Sequence, residues 1–184
     1  MIFVGHLGIT LLLCAPLANV LVTSGRRIEV FRWTGVALVV TLLPDFDMFM
    51  PWLTHRGVTH SLLAAVCLGV VVAVVTTIRW RTLVFPEVDR RRAMLGFTVG
   101  AGSMVSHLVG DIITPMGVRP FFPVDSVYTL DLVYAKDLRA NLAFMLIGIV
   151  VFWTVYRRSE DPVAVDVATS SDRAAESDIH SFKS

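Results

Sequence analysis

Charge is what this chain has least of. Only 17% of its 184 residues are Asp, Glu, Lys or Arg, against 55% hydrophobic, and the mean hydropathy is +0.70. A soluble domain carries about a quarter charged residues, so the composition excludes one and points to an integral membrane protein. The net charge is +1, and no basic block is interleaved with aromatics, which removes nucleic acid as a partner. Cysteine is equally scarce. Cys14 and Cys67 have no CxxC partner, fall inside apolar runs and read as small hydrophobes in helix packing. The residue before Cys14 is Leu13, too large for lipoprotein processing, and no positive n-region opens the chain, so the first apolar run reads as a retained span. Also missing are GxSxG, HExxH and a glycine-rich phosphate loop. No internal repeat is visible.

What is abundant is apolar sequence of membrane-spanning length. A bilayer core of roughly 30 Å needs about 20 apolar residues in a helix. Five stretches qualify or nearly do: Ile2 to Val22, Trp33 to Leu53, His60 to Ile78, Ala93 to Ile113 and the shorter Asn141 to Tyr156. The expected fold is an all-α polytopic membrane helix bundle over residues 1–158. After it, residues 159–184 turn to Ser, Asp, Ala and Glu and read as a disordered cytoplasmic tail, which sets His180 aside. Trp33, Trp80 and Trp153 read as interface anchors.

Arginine sets the expected orientation. Arg26, Arg27 and Arg32 follow the first span, Arg79, Arg81 and Arg90 to Arg92 follow the third, and Arg157 and Arg158 close the fifth. Arg56, Arg119, Lys136 and Arg139 are the basic residues of the other side. The positive-inside rule then puts the amino terminus outside and the carboxyl terminus in the cytoplasm.

The stretch from Leu43 to Ser61 gathers the polar chemistry. Asp45 and Asp47 follow Pro44, which lacks a backbone N–H and should break the second span there. His55 falls in the next loop and His60 at the start of the third span, with Gly57 as a turn and Thr59 or Ser61 as helix cap. His107 and Asp111, at i and i+4, share one face of the fourth span, where Gly96, Gly100, Ala101, Gly102 and Gly110 permit close helix approach. With His6 near the start of the first span, seven candidate ligands come to the same expected outer face.

Ionisable groups at membrane depth are costly unless paired or metal-bound. Taken alone, His6 could bond a backbone carbonyl, Asp45 and Asp47 could be a helix cap and a surface carboxylate, and His107 and Asp111 could pair with each other. Arrival of all seven at one depth favours a metal. Imidazole and carboxylate suit zinc and related divalent ions, and the four histidines and three aspartates suffice for two ions. Asp45 or Asp47, left off the metal, could act as base or orient a ligand imidazole. From Thr114 to Arg139, four prolines and glycines separate Phe121, Phe122, Tyr128 and Tyr134. This segment should lie over the outer surface as a lid or lipid-contacting loop, with Asp125 and Asp131 as spare carboxylates.

Leu-Pro-Asp-x-Asp at Leu43 to Asp47, the string His55-Arg56-Gly57-Val58-Thr59-His60-Ser61, and His107-x-x-x-Asp111 followed by Gly117 and Pro123 resemble the YdjM family. Its members are small inner-membrane proteins described as LexA-regulated, membrane-bound, metal-dependent hydrolases. The resemblance covers roughly the first two thirds of the chain. It implies that Asp45, Asp47, His55, His60, His107 and Asp111 are metal-site residues, with His6 matching an early histidine. The mixed His and Asp set is also similar, more loosely, to zinc-dependent phospholipase C. The expectation is a metal-dependent hydrolase in the inner membrane, acting with one or two zinc-like ions and with Asp45 and Asp47 as catalytic carboxylates. Its expected substrate is a phosphoester or ester of a lipid or envelope molecule. A non-enzymatic metal-binding membrane protein, with a transport, stress or scaffold role, is the alternative. Transport is disfavoured by the apolar inner halves of the spans and the lack of inverted repeats.

Overall fold

The computed structural model describes residues 1–77 and 89–158. The remaining residues include Arg79, Trp80, Arg81 and the expected tail with His180, so expectations about them lie outside the described residues. The described chain forms five α-helices: α1 Phe3–Thr23, α2 Arg27–Val40, α3 Leu62–Thr77, α4 Arg90–Ile112 and α5 Leu138–Arg157, with 3₁₀ turns at Leu43–Phe49 and Val58–His60. It is an all-α membrane helix bundle. By length and apolar composition, α1, α4 and α5 can each cross a bilayer, and α3 is a shorter apolar helix.

Three boundaries differ from the expected spans. The second stretch is helical only as α2, 14 residues ending at Val40 rather than running on to Leu53. Pro44 has no N–H to give the Val40 carbonyl, so the ladder stops a turn before the proline and the chain tightens into the 3₁₀ turn. His60 does not open α3. It sits in its own turn, and Ser61 caps the helix by accepting from the Ala64 N–H at 3.1 Å. The last helix is longer than Asn141 to Tyr156, because Asp137 caps it and accepts from the N–H groups of Arg139 and Ala140.

Two helix pairs, α1 with α5 and α3 with α4, form the frame, and α1 also touches α2 and α4. Both pairs meet at glycine. A Cβ on Gly148 of α5 would run into the carbonyl of Gly8 on α1, and one on Gly100 of α4 would lie 2.9 Å from the Leu68 carbonyl of α3. In lipid, close backbone approach of this kind supplies the dispersion contact that holds helices together. Gly102 faces open space and takes no part.

The main core joins Leu11, Ala18, Leu21 and Val22 to Val30, Trp33, Ala37, Val99 and Phe152. Trp33 is therefore not an interface anchor: it is 8% exposed, and its indole N–H donates to Glu29. Trp153 is half exposed, as an anchor would be. At the opposite end from this core, the segment after α4 is pinned down. Leu130 N–H donates to the Ile112 carbonyl at 2.7 Å and Leu132 N–H to the Ile113 carbonyl at 2.9 Å, satisfying the last turn of α4. Phe121, Tyr128 and Tyr134 remain exposed, and so does Asp125, which pairs with Arg119.

Candidate metal centre

Each candidate side chain reaches the site for a local reason. The 3₁₀ turn after α2 points Pro44, Asp45 and Asp47 inward and Phe46, Met48 and Phe49 outward. α4 presents His107 and Asp111 on one face, and α1 presents His6. The His6 ring stacks on His107 with centroids 3.9 Å apart and planes 8° from parallel. Gly110 makes room for it, since a Cβ there would lie 2.6 Å from His6 Nδ1. All seven candidates converge. Six are buried, and His55 stands at the rim with its side chain 32% exposed.

Hydrogen bonding assigns the tautomers of the two central rings. His107 Nδ1–H donates to the Thr41 carbonyl at 2.7 Å, so Nδ1 carries the proton and Nε2 presents a lone pair. Thr59 gives its hydroxyl hydrogen to Asp47 Oδ2. His60 Nδ1 lies 3.0 Å from Thr59 Oγ1 and 3.3 Å from Asp47 Oδ2, both of which can only accept, so His60 also keeps its proton on Nδ1. The two Nε2 atoms nevertheless face each other at 3.1 Å. With both rings neutral, two lone pairs that close repel unless a proton or a metal cation lies between them.

Two carboxylates complete the figure. Asp45 Oδ1 is 3.5 Å from His60 Nε2 and 3.4 Å from His107 Nε2, and Asp111 Oδ2 is 3.5 Å from each. A tetrahedral zinc with ligands at about 2.0–2.2 Å has ligand-to-ligand edges of about 3.3–3.6 Å. The four nitrogen-to-oxygen distances match such edges. The charges agree too, since among the described residues the three carboxylates meet no Lys or Arg but the Arg56 guanidinium, which with the Met1 amine sits at Asp111 Oδ1. Asp111 Oδ2 and both ring nitrogens of His6 are buried without a hydrogen-bond partner. Buried polar atoms are seldom left so, and donors of this chemistry fit a divalent cation.

Three groups of side chains could each hold an ion: His6, His107 and Asp111; Asp45, His60 and His107; and Asp47, His55 and His60. They are not independent. His107 belongs to two groups but has one nitrogen free of the Thr41 carbonyl. In the third group Asp47 is already engaged, accepting from Thr59 and facing His55 Nδ1 at 2.7 Å. That is the geometry of a carboxylate that orients a ligand imidazole.

A model of the YdjM inner membrane protein family matches residues 1–170. The chain belongs to that family. The match reaches well beyond the two thirds of the chain that carry the motifs. Comparison with curated proteins and with solved structures finds no match.

Sequence reasoning passed over four contributors. The Thr41 carbonyl is freed by the Pro44 break, and a backbone acceptor leaves no mark in a motif. Thr59 turns to Asp47 rather than capping α3. Gly110 houses the His6 ring. Arg56 reads from sequence as a loop residue, yet its Nη2 lies 2.8 Å from Asp111 Oδ1.

Proposed function

We propose that the chain is a metal-dependent hydrolase of the inner membrane whose site opens at the extracytoplasmic face and whose substrate is a lipid or envelope molecule bearing a phosphoester or ester. The observation that carries this reading is the pair of Nε2 atoms 3.1 Å apart, each ring bonded elsewhere through Nδ1 and both flanked by two carboxylate oxygens. A divalent cation, zinc by donor type, would be held by His60, His107 and Asp111, a set drawn from the first two groups through the Asp111 oxygen 3.5 Å from both Nε2 atoms, and when bound it supplies a Lewis acid toward water and toward an ester oxygen.

The chain's own groups divide the rest of the work. His107 and His60 are oriented by the Thr41 carbonyl and by Thr59 with Asp47. Asp45 has the most exposed side chain of the four inner donors, 10% against 0–1%, and takes the proton of the attacking water. The water oxygen bonds to phosphorus or to the acyl carbon, the ester bond to the leaving oxygen breaks, and the proton passes from Asp45 to that oxygen. Substrate access favours a lipid: Phe46, Phe49 and Trp52, apolar and exposed, lie in the chain segment that carries Asp45 and Asp47. The extracytoplasmic placement rests on the arginine asymmetry of the loops.

A second reading has its own support. Asp45, 3.4–3.5 Å from both Nε2 atoms, would as a further ligand take the position left for water, as in structural zinc sites, which suits a metal-stabilised, non-enzymatic membrane protein. The experiment is metal analysis of the detergent-purified full chain beside a screen of phospholipids and phosphodiesters. Stoichiometric metal with hydrolysis that falls about 10²–10⁴-fold in Asp45→Asn supports the enzyme. A fully metallated protein inactive across the panel gives the structural reading instead.

A further inference from the structure

Arg56 holds more donors at the site than its contacts there use. Its backbone sits at φ 62, the left-handed region that non-glycine residues avoid, and it meets Gly117, itself at φ 59. Non-glycine residues held in this region cluster at functional sites. From there the guanidinium is directed inward. Nη1 donates to the Gly117 carbonyl at 2.8 Å and to Thr114 Oγ1 at 3.3 Å, and Nη2 donates to Asp111 Oδ1 at 2.8 Å.

Arginine has five N–H donors. These contacts use three, leaving the Nε–H and one hydrogen of Nη2, and Nε is buried with no partner. Nε and Nη2 form one edge of the planar guanidinium, the fork that takes two oxygens of a phosphate or carboxylate together. The same Asp111 that receives Nη2 sends its other oxygen to within 3.5 Å of both central imidazoles. The unpartnered Nε therefore lies on a guanidinium one carboxylate away from the proposed metal.

We infer that Arg56 binds an anionic oxygen of the substrate, which narrows the substrate class to phosphoesters. The inference rests on the hydrolase reading above for the reaction, though not for the anion contact itself. A phosphodiester carries a full negative charge on its non-bridging oxygens before any bond is broken, and a carboxylic ester does not. Steadying Asp111 needs a single contact from Nη2, so that role alone leaves the Nε donor unexplained.

The test is calorimetric binding of inorganic phosphate to the full chain in detergent, with metal content measured on the same samples, for wild type, Arg56→Gln and Arg56→Lys. Wild type should bind phosphate. Arg56→Gln should keep its metal and lose about tenfold or more in phosphate affinity, with Arg56→Lys in between because it keeps the charge and loses the fork. Unchanged phosphate affinity in metallated Arg56→Gln overturns the inference. So does loss of metal or of monodisperse protein in both variants, which makes Arg56 a structural strut. A wild-type chain that binds no metal but still binds phosphate through Arg56 sinks the metal reading and keeps this one. A wild-type chain that binds no phosphate sinks this one whatever its metal content.

Discussion

The imidazoles of His60 and His107 point their Nε2 atoms at each other across 3.1 Å while each ring's Nδ1 is occupied elsewhere. Residues 47 positions apart in sequence thus meet with their unprotonated edges inward. This relationship makes the site sensitive to the removal of either ring.

Replacing His107 with Ala, or Asp111 with Ala, should abolish stoichiometric metal in protein purified without chelators, read by elemental analysis. Asp47→Asn should be milder. It leaves the inner donors in place and loosens the His60 ring, so metal affinity should fall about 10–100-fold. Equal loss in Asp47→Asn and His107→Ala would make Asp47 a ligand.

Metal affinity should also depend on pH with a defined sign. A ring must be unprotonated at Nε2 to bind, so protons and metal compete. Affinity should be highest above the ordinary imidazole range near 6.5 and decline as pH falls through it. A titration of bound metal from pH 8 to about pH 5 reads the effect, and a flat profile would argue against imidazole ligation.

A bound cation should stabilise the helices that supply its ligands. At a free metal concentration of about 100 times the dissociation constant, linkage gives about 2.7 kcal/mol. Chelation should therefore lower the thermal midpoint in detergent, and readdition of zinc should restore it. No shift on chelation of a metallated sample would separate the metal from the fold.

Gly110→Ala tests the seat of His6. The added Cβ would lie 2.6 Å from His6 Nδ1, so the ring must leave its stack on His107. Overpacking of this size costs about 1–3 kcal/mol. The expected result is a folded protein with weakened metal binding, and an unchanged dissociation constant would remove His6 from the site.

Orientation can be read by labelling. Trp52, exposed near the site, and Ser24, at the far end of α1, should report opposite sides when each is changed to Cys in a chain lacking Cys14 and Cys67. An impermeant maleimide applied to whole cells should reach position 52 and miss position 24. The reverse pattern would move the proposed site to the cytoplasmic face.

The sequence made the helical class, the break near Pro44 and the convergence of the seven candidate side chains legible, because apolar length and polar residues at one depth are both local signals. Hydropathy could not say where α2 stops: Leu42 and Leu43 beyond Val40 are as apolar as the helix, and the missing proline N–H acts a turn upstream. Nor could it show Trp33 buried against Leu21 and Ala37 in place of lying at an interface, since an indole serves either setting and tertiary packing decides. The roles of Arg56 and Thr59 depended on partners dozens of residues away or on competition between two nearby acceptors. No spacing rule records those choices.

α5 donates no ligand, yet it sets where one stands. Its Gly148 touches the main chain of α1 at Gly8, two positions beyond His6, with no side chain between to absorb an error. Enlarging residue 148 would therefore act like a wedge under a lever, tilting the first imidazole from a helix that contributes none of the seven candidate side chains, and the lesion would register at the His6–His107 stack before it registered as unfolding.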